Sequence, residues 1–229
     1  MAVVNKPALV SLTFDDGLRC QFEQSVPILD QCGLPATFFI IANEQPKHEN
    51  RWPKIEWHER DVSMLREVAR RGHEIASHTV NHLFPTMQNL EVSEYEARES
   101  KRRIGEWMGD VVPSFAYPFY RVPERIKNAV INAGYKQARG GPRNSPQGSL
   151  DWFAIDCHQI SNNENVEGWM RPDCWHVLTF HGVGTDQDGW APITVVEFTR
   201  QMTELAKLRD SGAVEVVTFK DGADRLRRR

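Results

Sequence analysis

The sequence predicts a parallel α/β fold, and within that class a barrel forming a single domain. Short apolar runs rich in strand formers alternate with amphipathic helical stretches about seven times along the chain, the pattern of strand–helix–strand units. These strands lack polar alternation, as expected where helices cover a parallel sheet. Both signals also fit a doubly wound sheet. The third observation favours the barrel: the polar residues capable of chemistry, Asp15/Asp16, His78/His82 and His181, stand where strands end, and barrel enzymes build their sites at the carboxyl ends of strands.

The elements follow in order. Ala8 to Phe14 reads as a buried strand stopped by Asp15-Asp16-Gly17. A helical stretch then runs to about Gln31 and is closed by Gly33 and Pro35, before a second strand at Ala36–Ile41. Asp61 is a candidate N-cap for a helix with Val62, Leu65, Val68 and Ala69 on one face and Gly72 at its end. Glu74-Ile75-Ala76 leads as a brief strand into His78. Further along come a helix near Val92–Met108, a strand near Ser114–Tyr117, a helix from about Pro123 to Ala133, and short strands near Lys136 and Phe153. Val177–Phe180 is a strand ending at His181-Gly182. Thr194 and Glu197 form a capping box for a helix with Phe198, Met202 and Leu205 on one stripe, and Val214–Val217 is the last strand.

Composition narrows the function. With 28 Lys+Arg against 31 Asp+Glu the net charge is −3, which argues against a nucleic-acid binder with a basic stripe. The one basic run, Arg225 to Arg229 interrupted by Leu226, reads as a solvated tail. No stretch has the ~20 apolar residues of a membrane span. Met1 to Lys6 lack a signal-peptide core, so the expectation is a cytoplasmic chain, or a secreted one whose signal has been removed. Cys20, Cys32, Cys157 and Cys174 are too dispersed for a disulfide framework or a thiolate zinc site.

Three positions carry the chemistry. Asp15 and Asp16 converge on one site only if the strand has broken, a break that Gly17 permits; one acid then suits a cation and the other a proton. His78 and His82, spaced i, i+4 on a helical turn, place two imidazoles on one face within reach of one metal. One Asp with two His leaves coordination positions open for a catalytic divalent ion. Non-haem iron oxygenases share that ligand set, but their His-x-Asp arrangement is absent, so hydrolysis is preferred.

Thr13-Phe14-Asp15-Asp16-Gly17, Gly33 to Phe39, and Gly72 to His82 closely resemble the polysaccharide deacetylases, the NodB-homology proteins of carbohydrate esterase family 4. Phe115-Ala116-Tyr117-Pro118-Phe119 and Leu178-Thr179-Phe180-His181-Gly182 look like that family's third and fifth motifs. The resemblance covers about residues 8–219, taken here as the core of one domain spanning 1–229. It implies an irregular (β/α)7 barrel of seven strands, with Asp16, His78 and His82 as metal ligands and Asp15 as the base acting on water. It further implies His181 as the acid that protonates the departing amine, and the backbone N–H of Phe119 as an oxyanion donor. The cofactor implied is a divalent metal, Zn2+ first, with Co2+, Ni2+ or Mn2+ as alternatives. The partner implied is an acetylated oligo- or polysaccharide, with no nucleic acid.

The chain departs from the family pattern at several points. Ala116 stands where the third motif carries an Arg that orients the base, and Arg121 is the nearest Arg in sequence. No clean fourth-motif Asp is present, Asp151 and Asp156 being the candidates to tune His181. Thr179 replaces a Leu of the acetyl-methyl pocket, and Tyr120 replaces a Gly, narrowing the cleft. Trp152 and Trp190 are candidate sugar-stacking surfaces, with packing the more ordinary role. The leading function is removal of acetyl groups from an N-acetylated, or O-acetylated, saccharide. The alternatives are a non-catalytic carbohydrate-binding protein and a hydrolase of small cyclic or linear amides on the same scaffold.

Overall fold

A computed structural model describes residues 6–43, 59–85, 88–140, 150–166, 168, 170–185 and 189–228. Its strands are β1 (Ala8–Phe14), β2 (Ala36–Ile40), β3 (Glu74–Ser77), β4 (Ser114–Ala116), β5 (Gln137–Arg139), β6 (His158–Gln159), β7 (Trp175–Phe180) and β8 (Val214–Val216). The helices are α1 (Val26–Cys32), α2 (Glu59–Arg70), α3 (Leu90–Met108), α4 (Glu124–Asn132), α5 (Val195–Asp210) and α6 (Phe219–Arg227). Every strand pair is parallel, in the order β5-β4-β3-β2-β1-β7-β6.

These seven strands make the expected barrel. Ile155 bridges to Arg139 of β5, and four residues later Gln159 of β6 pairs with Thr179 of β7. The stretch 155–159 therefore joins the two edges of the sheet and closes the ring. β8 is an eighth, shorter strand that shares one edge of β1 with β2: β8 pairs with Ala8–Val10 and β2 with Leu12–Phe14.

Side chains alternate between two cores, as strand geometry requires. The outward row of β1, Ala8, Val10, Leu12 and Phe14, packs beneath the helices with Leu29, Phe198 and Leu205. Phe14 stacks on Phe38 and Phe180 at 4.8 and 5.2 Å. Each such fully buried ring contributes about 2–3 kcal/mol. The inward core is smaller: Phe39, Ala76, Ala116, Ile155, Cys157, Val177 and Phe219.

Several local expectations change. Asp61 lies inside α2 and is no N-cap, because the helix already begins at Glu59. The strand expected near Phe153 is a bridge at Ile155, with β6 following at His158–Gln159. The helix expected after Gly17 opens with a π-helical turn, Gln21–Ser25, before α1. Arg225, Arg227 and Arg228 are exposed, as expected, but they form the end of a docked helix, α6, rather than a free tail. Thr218 caps α6 by accepting from the Asp221 N–H, and the helix buries Phe219 and Ala223. Arg227 then donates to Gln137 Oε1 at 2.9 Å and lies over the Trp152 ring at 4.3 Å.

Candidate metal centre and active site

The site continues the inward rows of the barrel by one step. On β1 the row is Ser11, Thr13, then Asp15; on β3 it is Glu74, Ala76, then His78; on β7 it is Val177, Thr179, then His181. Period-2 alternation alone aims Asp15, His78 and His181 into the lumen at its carboxyl-terminal end. Asp15 is 2% exposed and His181 7%. Asp15 Oδ2 lies 4.0 Å from His78 Nε2 and 3.8 Å from His181 Nε2, standing between the two imidazoles.

Asp16 joins them because the chain turns at that point, with φ 77°. Its Oδ1 lies 3.6 Å from both His78 Nε2 and His82 Nε2, and the ligand atoms of all three residues fall within 4.8 Å of one another. Donors ~2.0–2.2 Å from a tetrahedral ion stand roughly 3–4 Å apart, so the two 3.6 Å separations to Asp16 suit a divalent cation. The donor chemistry suits it too. His78 Nδ1 pairs with the Ala116 carbonyl at 2.9 Å, which fixes Nδ1 as the protonated nitrogen and leaves the Nε2 lone pair facing Asp16. Burial is the main cause that lowers the His78 pKa to about 4, with Arg139 and His82 adding to it against the pull of Asp15 and Asp16. His78 is thus a neutral imidazole at neutral pH, the form a metal could bind.

The two histidines do not share a helical turn. Residues 78–82 form an irregular turn with Thr79 at φ 70° and His82 at φ 51°. Thr79 Oγ1 accepts from the His82 N–H at 2.9 Å. Glu96 of α3, 2% exposed, accepts from the N–H groups of Val80 and Asn81 at 2.9 and 2.8 Å. A helix-borne carboxylate therefore holds the backbone that aims both rings. Phe119 follows at φ 56°, its ring 4.6 Å from that of His82, and Tyr120 at φ 58°. Five of the eight non-glycine residues with positive φ among the described residues, Asp16, Thr79, His82, Phe119 and Tyr120, cluster here. Each costs on the order of 1 kcal/mol, strain that gathers at functional sites.

Sequence reasoning left Asp15 without a cationic partner, and Arg139 supplies it. Arg139 is fully buried, and its Nη2 donates to both carboxylate oxygens of Asp15, at 2.6 and 2.5 Å. It also donates to Cys157 Sγ at 3.1 Å, and its guanidinium lies 5.3 Å from the Phe39 ring. Burial pushes the Asp15 carboxyl up, but Arg139, His78 and His181 together bring it below its ordinary value. Arg139 is the direct cross-strand partner of Ala116. The guanidinium expected on β4 has moved one strand over, at the same level of the barrel.

The sequence model of the polysaccharide deacetylases matches residues 2–138, more than half of the chain. The chain belongs to the polysaccharide deacetylase family. It is 25% identical over 206 residues to a peptidoglycan-N-acetylglucosamine deacetylase of Bacillus cereus, covering 90% of this chain and 85% of that one. Two solved structures share the fold. The Xyl-CE4 domain of a multidomain xylanase from the hindgut metagenome of Trinervitermes trinervoides matches with TM-score 0.63 at 19% identity, over 95% of this chain and 89% of that one. A family 4 acetyl xylan esterase from Clostridium thermocellum, in complex with a cobalt ion, matches with TM-score 0.62 at 15% identity, over 93% and 89%.

Around His181 the structure differs from the sequence expectation. The imidazole Nδ1 is buried and has no hydrogen-bond partner among the described residues. Asp151, one of the two acids considered for that place, instead accepts from Lys127 at 2.6 Å and from the Phe153 N–H at 2.9 Å. Trp190 meets the His181 ring edge-on at 4.8 Å, whereas Trp152 packs under Arg227. Tyr120 stands beside the site, its ring 5.4 Å from the Arg139 guanidinium and 6.1 Å from the His181 ring. Burial, with Asp15 close by, pushes its phenol far above the usual range, so it stays protonated.

Proposed function

We propose that this polysaccharide deacetylase family member is a divalent-metal-dependent hydrolase that removes acetyl groups from N-acetylated saccharides, releasing acetate, with residues about 8–219 acting as one catalytic unit. O-acetyl ester cleavage is the close variant. The observation that carries the reading is the position of Asp15: bound to Arg139, and within 4.0 Å of both a prospective metal ligand and His181.

Asp16, His78 and His82 would hold the ion, which when bound supplies Lewis acidity toward the acetyl carbonyl and a lowered pKa for water. Asp15, kept ionised by Arg139, takes the proton from the attacking water. The Phe119 N–H donates to the carbonyl oxygen as charge builds on it; losing such a donor typically costs ~3 kcal/mol of transition-state stabilisation. His181 delivers a proton to the departing nitrogen, without which an amine is a poor leaving group. Proton transfers of this kind contribute ~10²–10⁴-fold each.

The test is acetate release from chitin oligomers, peptidoglycan fragments and acetylated xylan, with metal content measured alongside. Turnover should vanish with a chelator and return with zinc, cobalt or nickel. His78→Ala should lose bound metal and at least ~10³-fold in turnover, in line with loss of metal-assisted attack; wild-type-like turnover in that variant overturns the reading. The rings of Tyr120 and Trp190 beside the site favour one second reading, hydrolysis of small linear or cyclic amides, and the same panel extended to such amides separates the two. Sugar binding without any turnover would instead identify a carbohydrate-binding protein.

A further inference from the structure

We infer that Gln21 is a positioning residue that sets the spacing between Asp15 and His181, the base and the acid of the reaction proposed above; the inference rests on that reading for its catalytic consequence. The parallel ladder of β1 and β7 ends with Phe14 opposite Phe180, and its last bond runs from the Asp15 N–H to the Phe180 carbonyl at 3.1 Å. Asp15 and His181 are the next pair, and there the strands part, Asp16 turning to φ 77°. The carbonyls of Asp15 and His181 lie just beyond that last ladder bond.

One side chain bonds both. The Gln21 Nε2 donates to the Asp15 carbonyl at 2.5 Å and to the His181 carbonyl at 3.0 Å, while its Oε1 accepts from the Leu18 N–H at 3.1 Å. Gln21 is fully buried. Both N–H groups of the amide are spent on the two residues, 166 positions apart in sequence, that are proposed to exchange protons with the substrate. The π-helical turn Gln21–Ser25 carries this side chain, and such turns are rare and gather at functional sites. The required chemistry is specific to a carboxamide. A carboxylate here would face two carbonyl oxygens, and an apolar side chain would leave three buried backbone groups unpaired.

The experiment compares the wild-type chain with Gln21→Met, which keeps the volume and removes the amide, under cobalt loading with a chitin oligomer as substrate. The expected result is a ~10–100-fold fall in kcat, the scale of a misplacement of about 1 Å. KM and the visible spectrum of cobalt bound at His78 and His82 should be unchanged. A crystal structure of the variant should show the Asp15–His181 gap displaced from its present 3.8 Å. Should Gln21→Met not fold, Gln21→Asn carries the same comparison with an amide too short to span both carbonyls. Wild-type kcat in a folded variant overturns the inference, as does a loss of kcat matched by loss of the cobalt spectrum. If the wild type releases acetate from no saccharide, the functional reading fails, and the crystal structure still decides the clamp: an unchanged gap overturns it and a displaced gap upholds it.

Discussion

The two ends of the barrel lumen each bury a carboxylate, and the two behave in opposite ways. At the carboxyl-terminal end Asp15 meets a guanidinium and two imidazoles, and its pKa falls despite its burial. At the other end Glu74 accepts from the Thr37 and Ser114 hydroxyls at 2.8 and 2.5 Å and from the Lys220 N–H at 2.9 Å. Burial dominates there, and neither the hydrogen-bond donors nor the Lys220 charge prevents its pKa from rising. Burial is nearly the same at both ends, so the partners decide which way each pKa moves. Glu74 stands at the N-terminus of α6, where the Phe219 N–H also donates to Thr37 Oγ1 at 2.8 Å, and the arrangement docks the last helix across the barrel. The strained backbone lies at the Asp15 end. In a barrel the carboxyl ends of the strands carry chemistry and the amino ends carry stability, and in the proposed reading these two acids divide along that line.

The sharpest way to break the comparison is to take the cation from Asp15. Arg139→Met should lower kcat/KM by ~10²–10³-fold, within the range assigned to a positioned base. It should also destabilise the fold by about 3–5 kcal/mol, because an unpaired carboxylate is left buried. Because Ala116 and Arg139 are register partners, the double variant Ala116→Arg/Arg139→Ala returns a guanidinium from the neighbouring strand and should recover a substantial part of kcat. Steady-state kinetics with denaturant melts check both. Full activity in Arg139→Met would show that Asp15 needs no partner.

Why Arg139 escaped the sequence while Asp15, Asp16, His78, His82 and His181 did not is a matter of range. Asp15, His78 and His181 sit at the ends of strands, and a period of two carries them inward without knowledge of any neighbour; Asp16 and His82 were legible as motif residues, and turns at φ 77° and 51° bring them in. β5 is three residues long, and Gln137-Ala138-Arg139 has no periodicity to read. Its Arg acquires meaning only from register against β4, which is a tertiary fact. The usable signal was an Arg closing a short strand immediately before Gly140. A Cβ at Gly140 would meet Val122 Cγ2 at 2.9 Å, so the chain there has to pass close to its neighbour. Glu96 was hidden for a related reason: on a charged helix it reads as solvated, and it turns inward to satisfy N–H groups of an irregular turn that spacing had assigned to a helix. The basic run was read correctly as exposed, but its composition hid the helix α6 that Phe219 and Ala223 dock.

A smaller effect is expected at the other end. Glu74→Ala should cost about 1–3 kcal/mol by leaving buried donors unpaired, while kcat of the folded fraction stays at the wild-type level. Urea melts paired with kinetics measure the two quantities. A fall in kcat comparable to that of Arg139→Met would erase the division between the ends.

The smallest effect is in pH, and its sign follows from the two shifts. Glu74 is raised above 4.5, so the folded state holds this proton more tightly than the unfolded chain. Its contribution is fully present below pH 4.5 and is lost as pH rises through the folded value, by at most ~1.4 kcal/mol per pH unit. Asp15 is lowered below 3.8, so its contribution is present above pH 3.8 and disappears as pH falls through its folded value. The two windows lie on opposite sides of pH 4 and do not overlap. Glu74→Gln removes the upper one and leaves the lower. The stability difference between wild type and Glu74→Gln, taken from urea melts at steps from pH 4 to 8, should be constant at the acid end and then move in favour of the variant before levelling. A difference that stays flat throughout would mean that Glu74 is as easily ionised inside the barrel as in water, and the contrast between the two carboxylates would be lost.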